Sequence, residues 1–566
     1  MHDLFRGNTS RPSKKIKTFA LRRRFLVILI LLGMLSLVLR AINLQVIDKQ
    51  FLQQQGAKRY ISKIPVSTYR GKIFDRYGEI MAISSPVRSI WVNPRQLDRN
   101  QSQEIEEMTK VLGLPASKIK LLKDKNSKLR FSYLKRRISP GLAMKVKKMG
   151  IKGIHFDQEF KRFYPAGVMS AHLIGFTDVD DVGQEGIERT YEDHLKGKAG
   201  LKRIIRDGRR RIVEDFENLE ESVPGKDLTL SVDRRIQYLA FRELQHAFIK
   251  YRAKSASLVV LDAKTGDVLA AVTQPAFNPN SRKNLKSGVY RNRAITDVFE
   301  PGSTMKPFVI AAALDGKYIA EDARIRTNGS YKIGVNWVRD GHNYGVLSLT
   351  NVLKKSSNVG ASKVALLMPD DYLWRIYKQL GFGQSAEIGF PGEAHGILLP
   401  LMKWNDFAQA TLSFGYGLST STLQLAKAYT ALADNGILHS VSLLKRDRDP
   451  NAKRIFTADV AKKVRTMLEE VVKPGGTAKR AAVTGYRVAG KTGTAKKAKK
   501  GGYSAKKYFS VFVGMAPASN PRFVIAVMVD EPKRKFYGGL VAAPVFSKVM
   551  AGTLRIYGVE PDKKMP

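Results

Sequence analysis

Few side chains in this sequence pair a nucleophile with a base at a workable spacing. A serine hydroxyl attacks a carbonyl only when a neighbour takes its proton, and a lysine three positions on lies one helical turn away on the same face. That spacing occurs at Ser117, Ser132, Ser303, Ser442 and Ser504, so alone it says little. Ser303 differs in its setting, Phe299-Glu300-Pro301-Gly302 before it and Met305-Lys306-Pro307 after it. Proline lacks an N–H and is tolerated in a helix near its start, so Pro307 predicts a helix beginning at about Ser303. The hydroxyl then sits at the positive helix end, with the Lys306 ammonium one turn away. If buried, that lysine loses its proton and becomes a base.

Two more polar elements could complete a proton path. Ser356-Ser357-Asn358 follows a plausible helix or helix junction, where its side chains could equally serve as caps. Lys-Thr-Gly occurs twice. Lys264-Thr265-Gly266 reads as a hairpin turn, whereas Lys491-Thr492-Gly493-Thr494 opens a strand-like stretch after Gly485 to Gly490. Gly490 and Gly493 are expected to leave room for a ligand backbone beside that strand. The ordered set Ser303/Lys306, Ser356/Asn358 and Lys491 is far more specific than any one member.

The elements that must position these residues belong to a chain of 566 residues with a net charge of +47 and no cysteine. That length predicts more than one core. The lack of cysteine excludes disulfides, thiol nucleophiles and thiolate metal sites. Residues 1 to 24 carry Arg6, Arg11, Lys14, Lys15, Lys17, Arg22, Arg23 and Arg24 against one acid, Asp3, and the uncharged run Phe25 to Leu39 follows. Fifteen helical residues span about 22 Å, short of the roughly 30 Å hydrocarbon core, so the helix is expected to continue to about Ile47. Arg40 then either snorkels to the headgroups or meets another membrane protein. No small-x-small cleavage site follows the run, which favours an uncleaved anchor over a signal peptide. The basic block precedes the span, so residues 1 to 24 are expected in the cytoplasm and the rest outside. That location argues against nucleic acid as the partner of so basic a chain. Anionic lipid or an acidic cell wall could meet the clusters Lys202 to Arg211 and Lys496 to Lys507, unless these are simply solvated faces.

Residues 48 to about 222 show no sustained periodicity and suggest an extended module without a deep core. Of their patches Arg70 to Ala82, Phe163 to Phe176 and Gly183 to Gly197, the first and third hold acid–base pairs with no nucleophile nearby, and a structural role is favoured for all three. From about 223 the texture becomes strand, helix, hairpin, a long helical stretch, and two final strands around Tyr508 to Pro517 and Arg522 to Pro532. The expected class is α+β, a mixed sheet flanked by helices.

The ordered triple resembles the signature of penicillin-binding proteins and serine β-lactamases. The patches at Arg70, Tyr164 and Gly183 look like pedestal motifs of class B penicillin-binding proteins, and the segments from Gly485 and Gly501 look like their closing strands. With the single anchor, the chain from 21 to 557 resembles the septal peptidoglycan D,D-transpeptidases of that class. The run Ser419-Thr420-Ser421 departs from the expected pattern without touching the triple. The resemblance implies an N-terminal tail (1–24), a transmembrane anchor (25–47), a pedestal of the dimerisation type (48–222) and a transpeptidase domain (223–566). It implies a catalytic set of Ser303, Lys306, Ser356, Asn358 and Lys491, with Thr492, Gly493 and Thr494 binding substrate. It calls for no metal or organic cofactor. The implied ligands are peptidoglycan stem peptides and β-lactams. The implied partners are a lipid II polymerase and other division proteins, at the bacterial inner membrane with the catalytic domain outside the cytoplasm. The alternatives are an elongation-type transpeptidase, a β-lactamase or D,D-carboxypeptidase, and a non-enzymatic anchored scaffold.

Overall fold

The computed structural model describes residues 19–124, 126–206, 212–281, 288–499 and 501–563. Most of the basic tail and part of the 202–211 cluster lie outside them. The chain divides into two compact units, residues 1–66 with 199–222, and residues 67–198 with 223–566.

In the first unit, one helix runs Ala20–Ile42 and continues as a wider π-type turn, Asn43–Ile47. Its 28 residues reach about 42 Å at 1.5 Å each, enough to cross a bilayer. None of its residues is buried, as expected of a surface that meets lipid rather than protein. Strands Ile61–Val66, Gly200–Arg206 and Ile212–Glu220 form a three-stranded antiparallel sheet in the same unit.

The second unit is built on a five-stranded sheet. Its order is Val268–Gln274, Ser255–Asp262, Phe523–Asp530, Gly502–Ala516, Ala489–Lys499, and all four pairings are antiparallel. The mixed pairing expected for this sheet is therefore not found there. It occurs instead where Ile73–Phe74 runs parallel to Leu228–Thr229. Every residue of Ser255–Asp262 and Phe523–Asp530 is buried, so helices must cover both faces of the sheet. Arg234–Tyr251, Thr422–Ala433, Ala458–Val472 and Ala543–Ile556 do so. The helix Lys306–Asp315 is buried on all sides from Lys306 to Ala313, because its sequence is apolar all round after the lysine. It carries the lysine of the first motif.

A second, smaller core corrects the expectation of a module without one. Ile90 and Val92 from one strand, Leu134 and Ile138 from its neighbour, and Met108 and Leu112 at helical spacing are buried together. Its helices, Ser102–Leu112, Ala116–Lys123 and Pro140–Lys148, are interleaved with strands, so no single period is sustained along the sequence. The acid–base pairs of the first and third patches are structural, as expected. Arg70 meets Glu188 at 2.5 Å and Glu192 at 2.7 Å, while Arg162 meets Glu188 at 2.6 Å, with Arg70, Arg162 and Glu188 buried. A carboxylate between two guanidiniums ties segments distant in sequence, and removing it would leave the buried Arg162 without its carboxylate and Arg70 with Glu192 alone.

Candidate active site

Ser303 does not start the α-helix. Gly302–Met305 forms a single 3-10 turn, and the α-helix begins at Lys306 with Pro307 in its first turn. The proline reading is thus right about the helix and early by one turn. Gly302 needs its glycine: its φ is +59°, and its N–H donates to Gly415 O at 3.2 Å. A β-carbon there would stand 3.6 Å from Thr494 N, so this turn lies against the Lys491–Thr494 segment.

Ser356-Ser357-Asn358 occupies a helix junction. Ser356 ends Leu349–Lys355 in a left-handed conformation, φ +60°, and the Ser357 hydroxyl caps Asn358–Ala365 by accepting from Gly360 N. Capping is therefore real, but it engages Ser357 and leaves the side chains of Ser356 and Asn358 facing the lysines. Lys306 Nζ donates to Ser356 O at 2.6 Å and to Asn358 Oδ1 at 2.8 Å, and lies 3.3 Å from Ser356 Oγ. From the other side, Lys491 Nζ is 3.0 Å from Ser356 Oγ and 3.3 Å from both oxygens of Thr492. One hydroxyl stands between two amines.

Both lysines are fully buried, and burial is the main reason their protons are loosely held. Lys306 falls well below the ordinary lysine value through burial and the like charge of Lys491, opposed by Asp340. Lys491 is lowered to about 7 by burial. A neutral Lys306 amine has two N–H groups, and two of its partners are the acceptors Ser356 O and Asn358 Oδ1. Its lone pair is then left to accept a proton.

The third motif lies on the sheet's edge strand, Ala489–Lys499, paired with Gly502–Ala516 on one side only. Thr494 Oγ1 accepts from Gly538 N at 3.0 Å, and Thr492 Oγ1 is 3.0 Å from Thr477 Oγ1. The sequence reading expected the two glycines to leave room for a ligand, and they do not. A β-carbon at Gly493 would stand 2.5 Å from Pro301 O, and one at Gly490 would stand 2.6 Å from the Phe512 ring. Their space is filled by this chain, and Gly493 lets the Ser303 turn press onto the edge strand.

A cleft of about 370 Å³ is lined by Ser303, Ser356, Thr492 and Thr494 together with Thr477, Tyr537, Gly538, Gly539 and Leu540. The structure thus brings residues of all three motifs to one place. Sequence reasoning missed Thr477 and the Tyr537–Leu540 wall, and it missed Asp340. Asp340 is 17 residues before Ser357, which donates to its carboxylate at 2.5 Å. An aspartate after a short hairpin carries no signal of its own in a single sequence.

Such an arrangement is that of a serine acyltransferase, and comparison with known proteins agrees. The penicillin-binding protein transpeptidase domain matches residues 256–551, and the penicillin-binding protein dimerisation domain matches residues 65–230. The chain belongs to the penicillin-binding proteins. It is 41% identical to the probable peptidoglycan D,D-transpeptidase PenA of Neisseria meningitidis over 98% of this chain and 95% of that protein. It is 40% identical to the peptidoglycan D,D-transpeptidase FtsI of Escherichia coli strain K12 over 94% of this chain and 91% of that protein. The transpeptidase domain of penicillin-binding protein 3 from Burkholderia pseudomallei superposes with a TM-score of 0.55 at 44% identity, over 59% of this chain and 98% of that one.

Proposed function

We propose that this chain is a peptidoglycan D,D-transpeptidase that crosslinks stem peptides through an acyl-enzyme on Ser303. The observation that carries the reading is the buried Lys306 amine, held by Ser356 O and Asn358 Oδ1 one turn from Ser303. Lys306 takes the Ser303 proton as the hydroxyl attacks the carbonyl of the penultimate D-Ala. Ser356, between Lys306 and Lys491, passes a proton to the leaving nitrogen of the terminal D-Ala. Asn358 holds the substrate amide, Thr492 and Thr494 bind its terminal carboxylate, and Gly493 permits the close approach of the Ser303 turn. The N–H groups of Ser303 and Thr494 receive the oxyanion, worth about 3 to 4 kcal/mol per donor. An amino group of a neighbouring stem peptide then attacks the ester, forms the crosslink and frees Ser303. β-Lactams acylate the same serine.

The names of the relatives support a place in septal wall synthesis. The reading includes the division into tail 1–24, anchor 25–47, pedestal 48–222 and transpeptidase 223–566. It places the tail in the cytoplasm and the catalytic domain outside, on the strength of Arg22, Arg23 and Arg24 before the apolar run. A lipid II polymerase and other division proteins are the partners. The test is labelling with a fluorescent penicillin followed by peptide mapping. Ser303→Ala is expected to abolish labelling in a folded protein, and the wild-type adduct is expected to last. An adduct on another serine would sink the assignment, and rapid penicillin turnover would make the protein a β-lactamase.

A further inference from the structure

We infer that the outer face of the hairpin Ser330–Ile333 and Asn336–Arg339 is a docking strip for the donor peptidoglycan strand, with Lys332 and Arg339 meeting carboxylates of its stem peptide and Trp337 stacking on a sugar ring. The inference rests on the transpeptidase reading above and deepens it.

The register of this hairpin sorts its side chains. Tyr331 pairs with Val338 and Ile333 with Asn336, while Lys332 pairs with Trp337 and Ser330 with Arg339. Alternation along each strand puts the first two pairs on one face and the last two on the other. Ile333 and Val338 are buried in a small core with Val359, Ala410 and Phe414, so theirs is the inner face. Ser330, Lys332, Trp337 and Arg339 are all exposed.

A tryptophan on such a face stands apart from the others of this chain. Trp374 and Trp404 both donate their indole N–H to Leu399 O, and Trp404 is buried. Trp337 is 51% exposed, and among the described residues its N–H has no acceptor and no ring or cation stacks on it. An open apolar ring with a free donor at its edge suits the apolar face and the oxygens of a sugar. Lys332 and Arg339 have no carboxylate within ion-pair distance among the described residues. Residues 323 to 345 carry Arg324, Arg326, Lys332 and Arg339 and a single acid, Asp340, which already serves Ser357 and the N–H groups of residues 358 and 359. The strip therefore presents uncompensated positive charge, the complement of an acidic ligand.

Its place selects the occupant. Arg339 O accepts from Asn358 Nδ2 at 3.2 Å, so the strip begins beside the residue that holds the substrate amide. Trp337 lies two residues on, about 7 Å along the strand, with Lys332 about 5 Å from it on the neighbouring strand. In the reading above, the terminal carboxylate of the stem peptide goes to Thr492 and Thr494 and the amide before it to Asn358. The rest of the donor leaves the cleft on the Asn358 side, where the hairpin stands. That part carries the acidic residues of the peptide and, beyond them, the amino sugar to which the peptide is joined. Carboxylates come first and the ring after them, which is the order in which the strip offers Arg339 and then Trp337 with Lys332. A β-lactam fills the cleft alone and ends before the strip.

Two variants and two competitors test this. Trp337→Ala removes the ring and Lys332→Glu reverses the charge, while Arg339 is left intact because its carbonyl holds Asn358. The measurement is the rate at which a fluorescent penicillin labels the full-length protein in detergent, alone and in competition with soluble uncrosslinked peptidoglycan strands or with the free stem pentapeptide. Thermal melting checks folding, and should one variant melt early the other decides. Without competitor, both variants are expected to label at the wild-type rate. The strand concentration that halves labelling is expected to rise about tenfold for Trp337→Ala, the scale of one aromatic contact, and about fivefold for Lys332→Glu. The second effect should shrink as salt is raised from about 50 to about 500 mM. With the pentapeptide, which has no sugar, Trp337→Ala should match wild type and Lys332→Glu should remain impaired. Unchanged protection by strands in both variants would overturn the inference and leave this face to a lipid surface or a protein. Slower labelling without competitor, equal to the loss of protection, would overturn it in favour of a hairpin that only supports Asn358. Loss of pentapeptide protection in Trp337→Ala would overturn the assignment of the ring to a sugar. Failure of wild type to label at Ser303 would refute the transpeptidase reading instead.

Discussion

Replacing Lys491 by methionine should stabilise the protein while destroying its reactivity. The side chain is fully buried, and burial lowers its pKa from 10.5 to about 7. Unfolding returns it to water, where it holds its proton up to about pH 10.5. Below pH 7 the folded state must keep a proton at a site that disfavours it, and the full penalty applies. As pH rises from 7 to 10.5 the folded lysine is neutral while the unfolded one is still charged, so the penalty fades and vanishes above 10.5. A displacement from 10.5 to about 7 corresponds to about 5 kcal/mol. Methionine has similar length and no charge, but it forfeits the bonds to Ser356 Oγ and Thr492, a loss of about 2 kcal/mol. A net gain of about 3 kcal/mol at pH 7 should raise the melting temperature by several degrees. The assay is thermal melting of wild type and Lys491→Met from pH 6 to 10, paired with penicillin acylation at pH 7. The variant should melt higher at pH 6 to 7, the gap should close as pH rises, and acylation should be lost. A variant that melts at or below the wild-type temperature at pH 7, or a gap that does not change with pH, would refute the burial argument.

Gly493→Ala brings a β-carbon to 2.5 Å from Pro301 O, two residues before the nucleophile, so the Ser303 turn must shift away from the edge strand. Penicillin acylation should fall by about 10²-fold in a protein that still folds, and an unchanged rate would show that the turn adjusts freely. For the anchor, exchange of Phe25 to Ile47 for an unrelated span should abolish co-purification with the lipid II polymerase. Arg40→Leu should weaken co-purification if the guanidinium faces that partner. Retention of full binding by Arg40→Leu, with loss in the exchange, would assign Arg40 to snorkelling, and binding by both would reduce the segment to a tether.

Much of the site was legible in the sequence because local chemistry marks it. Pro307 after Ser303-x-x-Lys306 sets the start of a helix, and apolar residues from Phe308 onward bury that helix and its lysine together. The uncharged run Phe25 to Leu39 likewise marks, in the sequence alone, a helix long and apolar enough to cross a bilayer. Three things required the tertiary structure. The junction of Ser356 with the two lysines joins residues far apart in the chain, and the packing of the Lys306–Asp315 helix on the junction, together with that of the edge strand on the Ser303 turn, brings them within hydrogen-bonding distance. The role of Gly493 depends on what stands above it, which proved to be Pro301 rather than a ligand. Asp340 has no signature, because a carboxylate becomes a helix clamp only when a hairpin from elsewhere delivers it to the N–H groups of residues 358 and 359. A sequence records residue types and local spacing; which charges are buried side by side, and hence which lysine is a base, is decided by the fold.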